Sequence, residues 1–264
     1  MAAIRQIKEL PGDPIGGASG GKTFFDVRFL GKTSSPEFPY TVANEVVATQ
    51  IGMSLGLNLP TVITHTVGGT TVALIQWMDR DPSMQEPPLA TAAALRDYVA
   101  DHPDEVHGAR IFDLFIANND RAFGPMRRNL LLGDDGRLLL YDHGDACLYR
   151  PRPDANIRAG IPRLDAVESE LPAMFDMDHK GNHYREFLTD WKLVDRWCER
   201  IRLLPEYLIR AAVARIPESS PQPDADERQR LVKFLIARRG YLLEHRVRWQ
   251  VCFPGLPRRG GGVA

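Results

Sequence analysis

The stretch from Ile111 to Tyr149 constrains the fold more than any other part of the chain. It reads I-F-D-L-F-I-A-N-N-D-R-A-F-G-P-M-R-R-N-L-L-L-G-D-D-G-R-L-L-L-Y-D-H-G-D-A-C-L-Y. An apolar, helix-like run ends in Asn119-Asp120-Arg121, and a polar loop then carries Asn129 into a strand, Leu130-Leu131-Leu132. An Asp134-Asp135-Gly136 turn returns the chain along Leu138-Leu139-Leu140-Tyr141, which stops at Asp142-His143-Gly144. Taken singly, Asp and Asn at such places are ordinary turn residues. Taken in order around a hairpin, two carboxylates and an amide stand at the ends of apolar elements. From there they can converge on a metal-bound phosphate.

The remaining features bound the problem. A chain of 264 residues can bury a substantial core in one large domain or two lobes. A formal net charge of −1 gives no electrostatic case for nucleic acid or an anionic membrane. No apolar run approaches the ~20 residues a spanning helix needs, and the N-terminus lacks the uninterrupted apolar core of a signal peptide. Cys147, Cys198 and Cys252 are too few and too widely spaced for a disulfide framework or a CxxC pair. Buried thiols and a cytoplasmic location are expected.

Strands are expected at Ile4–Leu10 and Thr23–Phe29, with a Gly- and Pro-rich loop from Pro11 to Gly21 between them. A helix is expected over Val42–Leu55, presenting Val42, Val46, Thr49 and Met53 on one face and ended by Gly56 and Pro60. Gly68-Gly69 joins strands Thr61–Val67 and Thr70–Trp77 as a hairpin. After a connector with three prolines come helical patterns at Leu89–Ala100, Glu105–Asn118, His183–Leu204, Glu206–Arg215 and Asp224–Trp249. The last opens with acidic residues suited to a helix N-terminus. Residues 1–78 thus read as a small β-rich unit and 79–253 as a larger helical unit holding the hairpin. Residues 254–264 are expected to form a flexible tail.

The central segment resembles the catalytic core of HipA-like kinases, within the wider protein-kinase-like group that includes phosphatidylinositol kinases. The pattern N-x-D-R, a loop, N-L-L, a turn and a strand ending D-H-G is matched by Asn118-Asn119-Asp120-Arg121, Asn129-Leu130-Leu131 and Tyr141-Asp142-His143-Gly144. Upstream, Asn44-Glu45-Val46-Val47-Ala48 and Leu55-Gly56-Leu57-Asn58-Leu59-Pro60 are similar to that family's N-E-x-x-A helix and its exit. The resemblance covers roughly Phe24 to Tyr149. It implies an α+β, two-lobed protein-kinase-like fold and an ATP- and Mg²⁺-dependent enzyme that phosphorylates a hydroxyl, with a protein serine or threonine the expected acceptor. On the same resemblance Asp120 is the catalytic base, Arg121 organises its loop, and Asn129 and Asp142 hold the metal. Glu45 pairs with a phosphate-binding cation, and Gln76 and Met78 lie beside the adenine. Backbone N–H groups of the Gly16–Gly21 loop, with Gly17, Ser19 and Gly20, and the adjoining Lys22, are placed to approach phosphates.

Two departures bear on activity. Where the family strand carries its Lys, Phe25-Asp26-Val27-Arg28-Phe29 places Arg28, which is expected to pair with Glu45 and bind the phosphates, although its planar fork does not replace an ammonium group for group. Lys22 and Lys32 are the lysines that could substitute. Eight residues separate Asp120 from Asn129, a long loop for this pattern. Both features favour the alternative of a pseudokinase acting through a protein partner; transfer of AMP instead of phosphate is a third possibility.

Other constellations are poorer. Gly17-Ala18-Ser19-Gly20-Gly21 matches G-x-S-x-G, but a strand follows where a nucleophile elbow needs a helix. Asp176, Asp178, His179 and His183 read as a solvated loop, because Gly181 and Asn182 interrupt the helix that would align the His pair. Arg127-Arg128 and Arg238-Arg239 read as solvated faces.

Overall fold

The computed structural model describes residues 7–10, 24–77, 89, 91–118, 121, 129–133, 135–148, 167, 187–220, 222–251 and 253–258. The expectations for Gly17, Ser19, Gly20, Lys22, Met78 and Asp120 lie outside them. So do those for the 176–183 His/Asp cluster, Arg127-Arg128, Cys252 and residues 259–264.

Strands β1 (Ile7–Leu10) and β2 (Phe24–Val27) pair antiparallel. A second antiparallel sheet is formed by β3 (Phe29–Thr33), β4 (Val62–Val67) and β5 (Thr70–Gln76), in the order β3-β5-β4. The β4–β5 turn is Gly68-Gly69 with φ of 56° and 81°. That is the left-handed conformation a two-residue hairpin loop demands and glycine tolerates.

Helix α1 (Thr41–Ser54) packs against this sheet. It ends in a Schellman motif: Gly56 N–H bonds to Met53 O and Leu57 N–H to Gly52 O, with Gly56 at φ 72°. The expected single apolar face is not what is found. Ten of its fourteen residues are buried, Asn44 and Glu45 included, whereas Met53 is half exposed. A helix enclosed on nearly every side has little amphipathic periodicity to display.

Helices α2 (Ala92–Asp101) and α3 (Pro103–Phe115) follow in close succession. Thr91 caps α2 through Ala94 N–H, and Pro103 with Asp104 and Glu105 opens α3. Strands β6 (Leu130–Leu132) and β7 (Leu138–Leu140) form the expected hairpin, Leu130 opposite Leu140. Its turn is held by α3: Glu105 Oε2 accepts from Leu138 N–H at 2.7 Å and from the Tyr98 hydroxyl at 2.7 Å.

Three further helices complete the described chain: α4 (Trp191–Arg202), α5 (Glu206–Ala214) and α6 (Ala225–His245), the last continuing into a 3-10 turn, Arg246–Val251. Asp190 caps α4, and Asp224 with Glu227 forms a capping box on α6. The main core is built from α1, α3, α4, α5 and α6, while Ile75, Leu131, Leu139 and Tyr141 make a smaller cluster joining β5 to the hairpin.

Two expectations for the C-terminal part need correction. Arg238 is fully buried, donating from Nε and Nη2 to Leu114 O at 2.9 and 2.7 Å, so it satisfies a carbonyl in the last turn of α3. Arg239 is also largely covered and reaches Leu204 O and Glu206. The start of the expected 254–264 tail is seated too: Leu256 is buried, and Trp191 Nε1–H donates to Pro257 O at 2.7 Å. No helix among the described residues is long and apolar enough to cross a membrane.

Candidate active site

The site is assembled where the inner face of the β3-β5-β4 sheet, helix α1 and the open end of the β6–β7 hairpin meet. Lys32 lies on β3 opposite Ala73. Its ammonium donates to Glu45 Oε1 at 2.6 Å and to Asp142 Oδ1 at 2.5 Å. Glu45 comes from the buried body of α1, and Asp142 from the loop just past β7. The lysine therefore ties three elements together. Burial works against its charge, but the Glu45 and Asp142 carboxylates outweigh that effect and hold the ammonium above its ordinary range. Burial pushes the Glu45 carboxyl up, against the pull of Lys32.

This corrects the expectation for Arg28. The cation facing Glu45 is Lys32. Arg28 sits between β2 and β3, where its carbonyl accepts from Trp77 N–H at 2.9 Å. Arg28 is exposed there, and Lys32, one of the two lysines weighed from the sequence as substitutes, takes the place at Glu45.

Asp142 has φ 60°, a left-handed conformation uncommon for any residue but glycine. The chain around it is fixed on all sides. Arg121, buried, donates from Nη1 to Tyr141 O at 2.8 Å and from Nη2 to His143 Nε2 at 2.7 Å, so it holds the residues on both sides of Asp142. Its Nε donates to both oxygens of Asp113, at 2.9 and 2.8 Å. His143 N–H donates to Glu45 Oε1 at 3.1 Å. Asn44 Nδ2 donates to Gly144 O at 2.7 Å and to Leu148 O at 2.8 Å, and its Oδ1 accepts from Leu148 N–H at 3.1 Å. The Asn44-Glu45 pair of α1 thus clamps the loop that displays Asp142.

Asn129 lies beside Asp142, because its carbonyl accepts from Tyr141 N–H at 3.3 Å. Its side chain makes no hydrogen bond to a described residue. With the half-exposed Asp142 carboxylate it offers two hard oxygen donors at one end of the hairpin. That donor chemistry fits Mg²⁺, which takes one or two protein oxygens and completes its shell with water and phosphate. Gln76 ends β5; its carbonyl accepts from the Tyr141 hydroxyl at 3.4 Å, and Trp77 meets the Tyr141 ring edge-on.

Asp113, Asn44 and His143 were not singled out by sequence reasoning. Asp113 carried a signal: a carboxylate in the middle of I-F-D-L-F must be buried, and a buried carboxylate needs a cation. Asn44 carried one only as half of the N-E pair. His143 carried none beyond its place after Asp142.

No family model matches the chain, and no curated protein matches it in sequence. Among solved structures it is similar to the Helicobacter pylori proinflammatory kinase CtkA, with a TM-score of 0.54 at 16% identity over 90% of this chain and 94% of that one. A chain of the Shewanella oneidensis MR-1 toxin–antitoxin complex of HipA, HipB and operator DNA aligns with a TM-score of 0.44 at 14% identity, over 88% of this chain and 66% of that one. The likeness to CtkA is one of fold: this mixed chain of small sheets and six described helices is built on the fold of a kinase.

Proposed function

We propose that the chain is an ATP-dependent phosphotransferase of the HipA-like kind, which transfers the γ-phosphoryl group to a hydroxyl, with a protein serine or threonine as the expected acceptor. The observation that carries this reading is the Lys32–Glu45–Asp142 cluster: a permanent cation held by a buried carboxylate, beside a second carboxylate displayed on a rigid loop. Phosphoryl transfer asks mainly for positioning and charge neutralisation, and these groups supply both. In the proposal the nucleotide lies between a β-rich and a helical lobe. Lys32, oriented by Glu45, faces its phosphates, Gly17, Ser19, Gly20 and Lys22 contribute to binding them, and Gln76 and Met78 stand beside the adenine. Asn129 and Asp142 would hold Mg²⁺, which when bound neutralises charge on the phosphate oxygens. Asp120 aligns the acceptor hydroxyl and takes its proton.

One observation favours a second reading, a pseudokinase that works through a protein partner. The Lys32 ammonium already bridges to Asp142, so a cation arriving there must displace it. Melting temperature decides between the two. With ATP and Mg²⁺ at a hundredfold above the dissociation constant, stability rises by ~2.7 kcal/mol. The shift is expected to shrink with EDTA and to be lost in Asp142→Asn. No shift with any nucleotide would move the assignment to the pseudokinase. Intact-mass analysis of the acceptor separates transfer of phosphate from transfer of AMP.

A further inference from the structure

His143 is completely buried, yet it is polar on both edges of its ring. Its Nε2 lies 2.7 Å from Arg121 Nη2. A guanidinium only donates, so Nε2 must be the acceptor and the ring proton resides on Nδ1. Nδ1 has no hydrogen-bond partner among the described residues and lies 3.8 Å from Glu45 Oε2, just beyond bonding reach. The backbone N–H of the same residue already bonds to Glu45 Oε1. The ring also stands edge-on to Phe112 of α3, centroids 6.1 Å apart. His143 therefore touches α1, α3 and the Arg121 loop at once, immediately after the left-handed Asp142.

We infer that His143 is a positioning residue for Asp142: its Nε2 is the acceptor that lets Arg121 grip the chain on both sides of the kink, so that the Asp142 carboxylate is held toward the metal position. The inference rests on the phosphotransferase reading of the site. It also accounts for the unpaired Nδ1–H. When Lys32 turns from Asp142 toward a phosphate, Glu45 keeps a second donor within a small movement. A merely space-filling imidazole would need neither the fixed tautomer nor an acceptor at that position.

The test uses the full chain with two variants. His143→Gln keeps an oxygen able to accept from Arg121, and His143→Leu keeps bulk without one. In metal-free protein at neutral pH, ¹⁵N spectra of the imidazoles should show a neutral Nδ1–H ring in addition to that of His107, and this second ring should be missing from His143→Gln. The Mg²⁺ concentration giving half of the ATP-induced rise in melting temperature should increase at least tenfold in His143→Leu and stay within threefold of wild type in His143→Gln. The shift caused by ATP in EDTA should be unchanged in both. An Nε2–H tautomer, an unaltered Mg²⁺ requirement in His143→Leu, or a failure of His143→Gln to retain it would each overturn the inference. Should the Leu variant not fold, the tautomer and the Gln variant still decide. Absence of any metal-dependent shift in wild type would instead overturn the functional reading, and the positioning role with it.

Discussion

At the scale of single residues, the decisive question is which cation serves Glu45. Lys32 is largely covered and bonds to two carboxylates, and no other side-chain cation is within reach of Glu45 among the described residues except the neutral His143 ring. Lys32→Met should lower kcat/KM for transfer at least 100-fold. It should also destabilise the fold, since breaking a buried pair from one side costs roughly 3–5 kcal/mol. Arg28→Met should stay within about threefold of wild type in transfer, a modest rate change being below ~1 kcal/mol of barrier. Steady-state phosphorylation of a generic protein acceptor checks both; equal losses would restore Arg28 to the site. The order of motifs was legible in the sequence because Asn129 and Asp142 are tied to turns that propensity reveals. The lysine was legible only as an alternative to Arg28, since counting along a pattern assumes unbroken strands, and here the strand breaks between Val27 and Phe29. Arg238 and Arg239 show the same limit: successive helical residues point about 100° apart, and a dipeptide cannot say which of them faces in.

At the scale of elements, close helix packing is set by glycines that sequence alone reads as weak points. A Cβ built on Gly108 of α3 would stand 2.4 Å from the Trp197 ring of α4. Trp197 cannot swing aside easily, because its Nε1–H donates to Asp104 Oδ1 at 2.7 Å. Gly108→Ala should therefore destabilise by about 1–3 kcal/mol, overpacking exceeding the gain in helix propensity. Gly240 of α6 has only Glu244 Oε1 near its would-be Cβ, at 3.8 Å. Gly240→Ala should stabilise by roughly 0.5–1 kcal/mol. Urea denaturation of the two variants should shift the midpoint in opposite directions; a shared direction would refute the packing argument. The helix expected from His183 begins only at Trp191, after residues 187–190, which are not helical. Most helices and both hairpins were legible because caps, Gly-Gly and Asp-Gly turns and apolar runs are local signals. The enclosure of α1 was not, since it depends on α5 and the sheet, which are distant in sequence.

At the scale of the whole molecule, distant segments are joined by a few buried polar contacts: Tyr40 hydroxyl to Glu227 at 2.7 Å, Arg238 to Leu114, and Trp191 to Pro257. None has a sequence signature, because each partner is chosen by the tertiary fold. His107 makes a further contact of this kind, joining α3 to the segment before α4, and its charge can be tested. Its Nε2 accepts from Thr189 N–H at 3.2 Å and Asp190 N–H at 3.3 Å, so its Nδ1–H donates to Pro103 O at 2.6 Å and the ring is neutral. Burial lowers its pKa below the ordinary 6.5, outweighing the opposing Pro103 carbonyl, Asp190 and Asp104. The unfolded chain therefore binds a proton near pH 6.5 that the folded chain still refuses. The stability from this residue is complete above that pH and is lost as pH falls through 6.5 toward the folded-state value. The loss approaches, and cannot exceed, ~1.4 kcal/mol per pH unit for this one group. His143, depressed by burial and by Arg121 and Lys32, acts in the same direction. Chemical denaturation between pH 7.5 and 5.5 should show stability falling with pH, and His107→Gln should reduce the slope by most of one proton. An unchanged slope in that variant would mean that the ring accepts its proton in the folded protein as readily as in the unfolded chain.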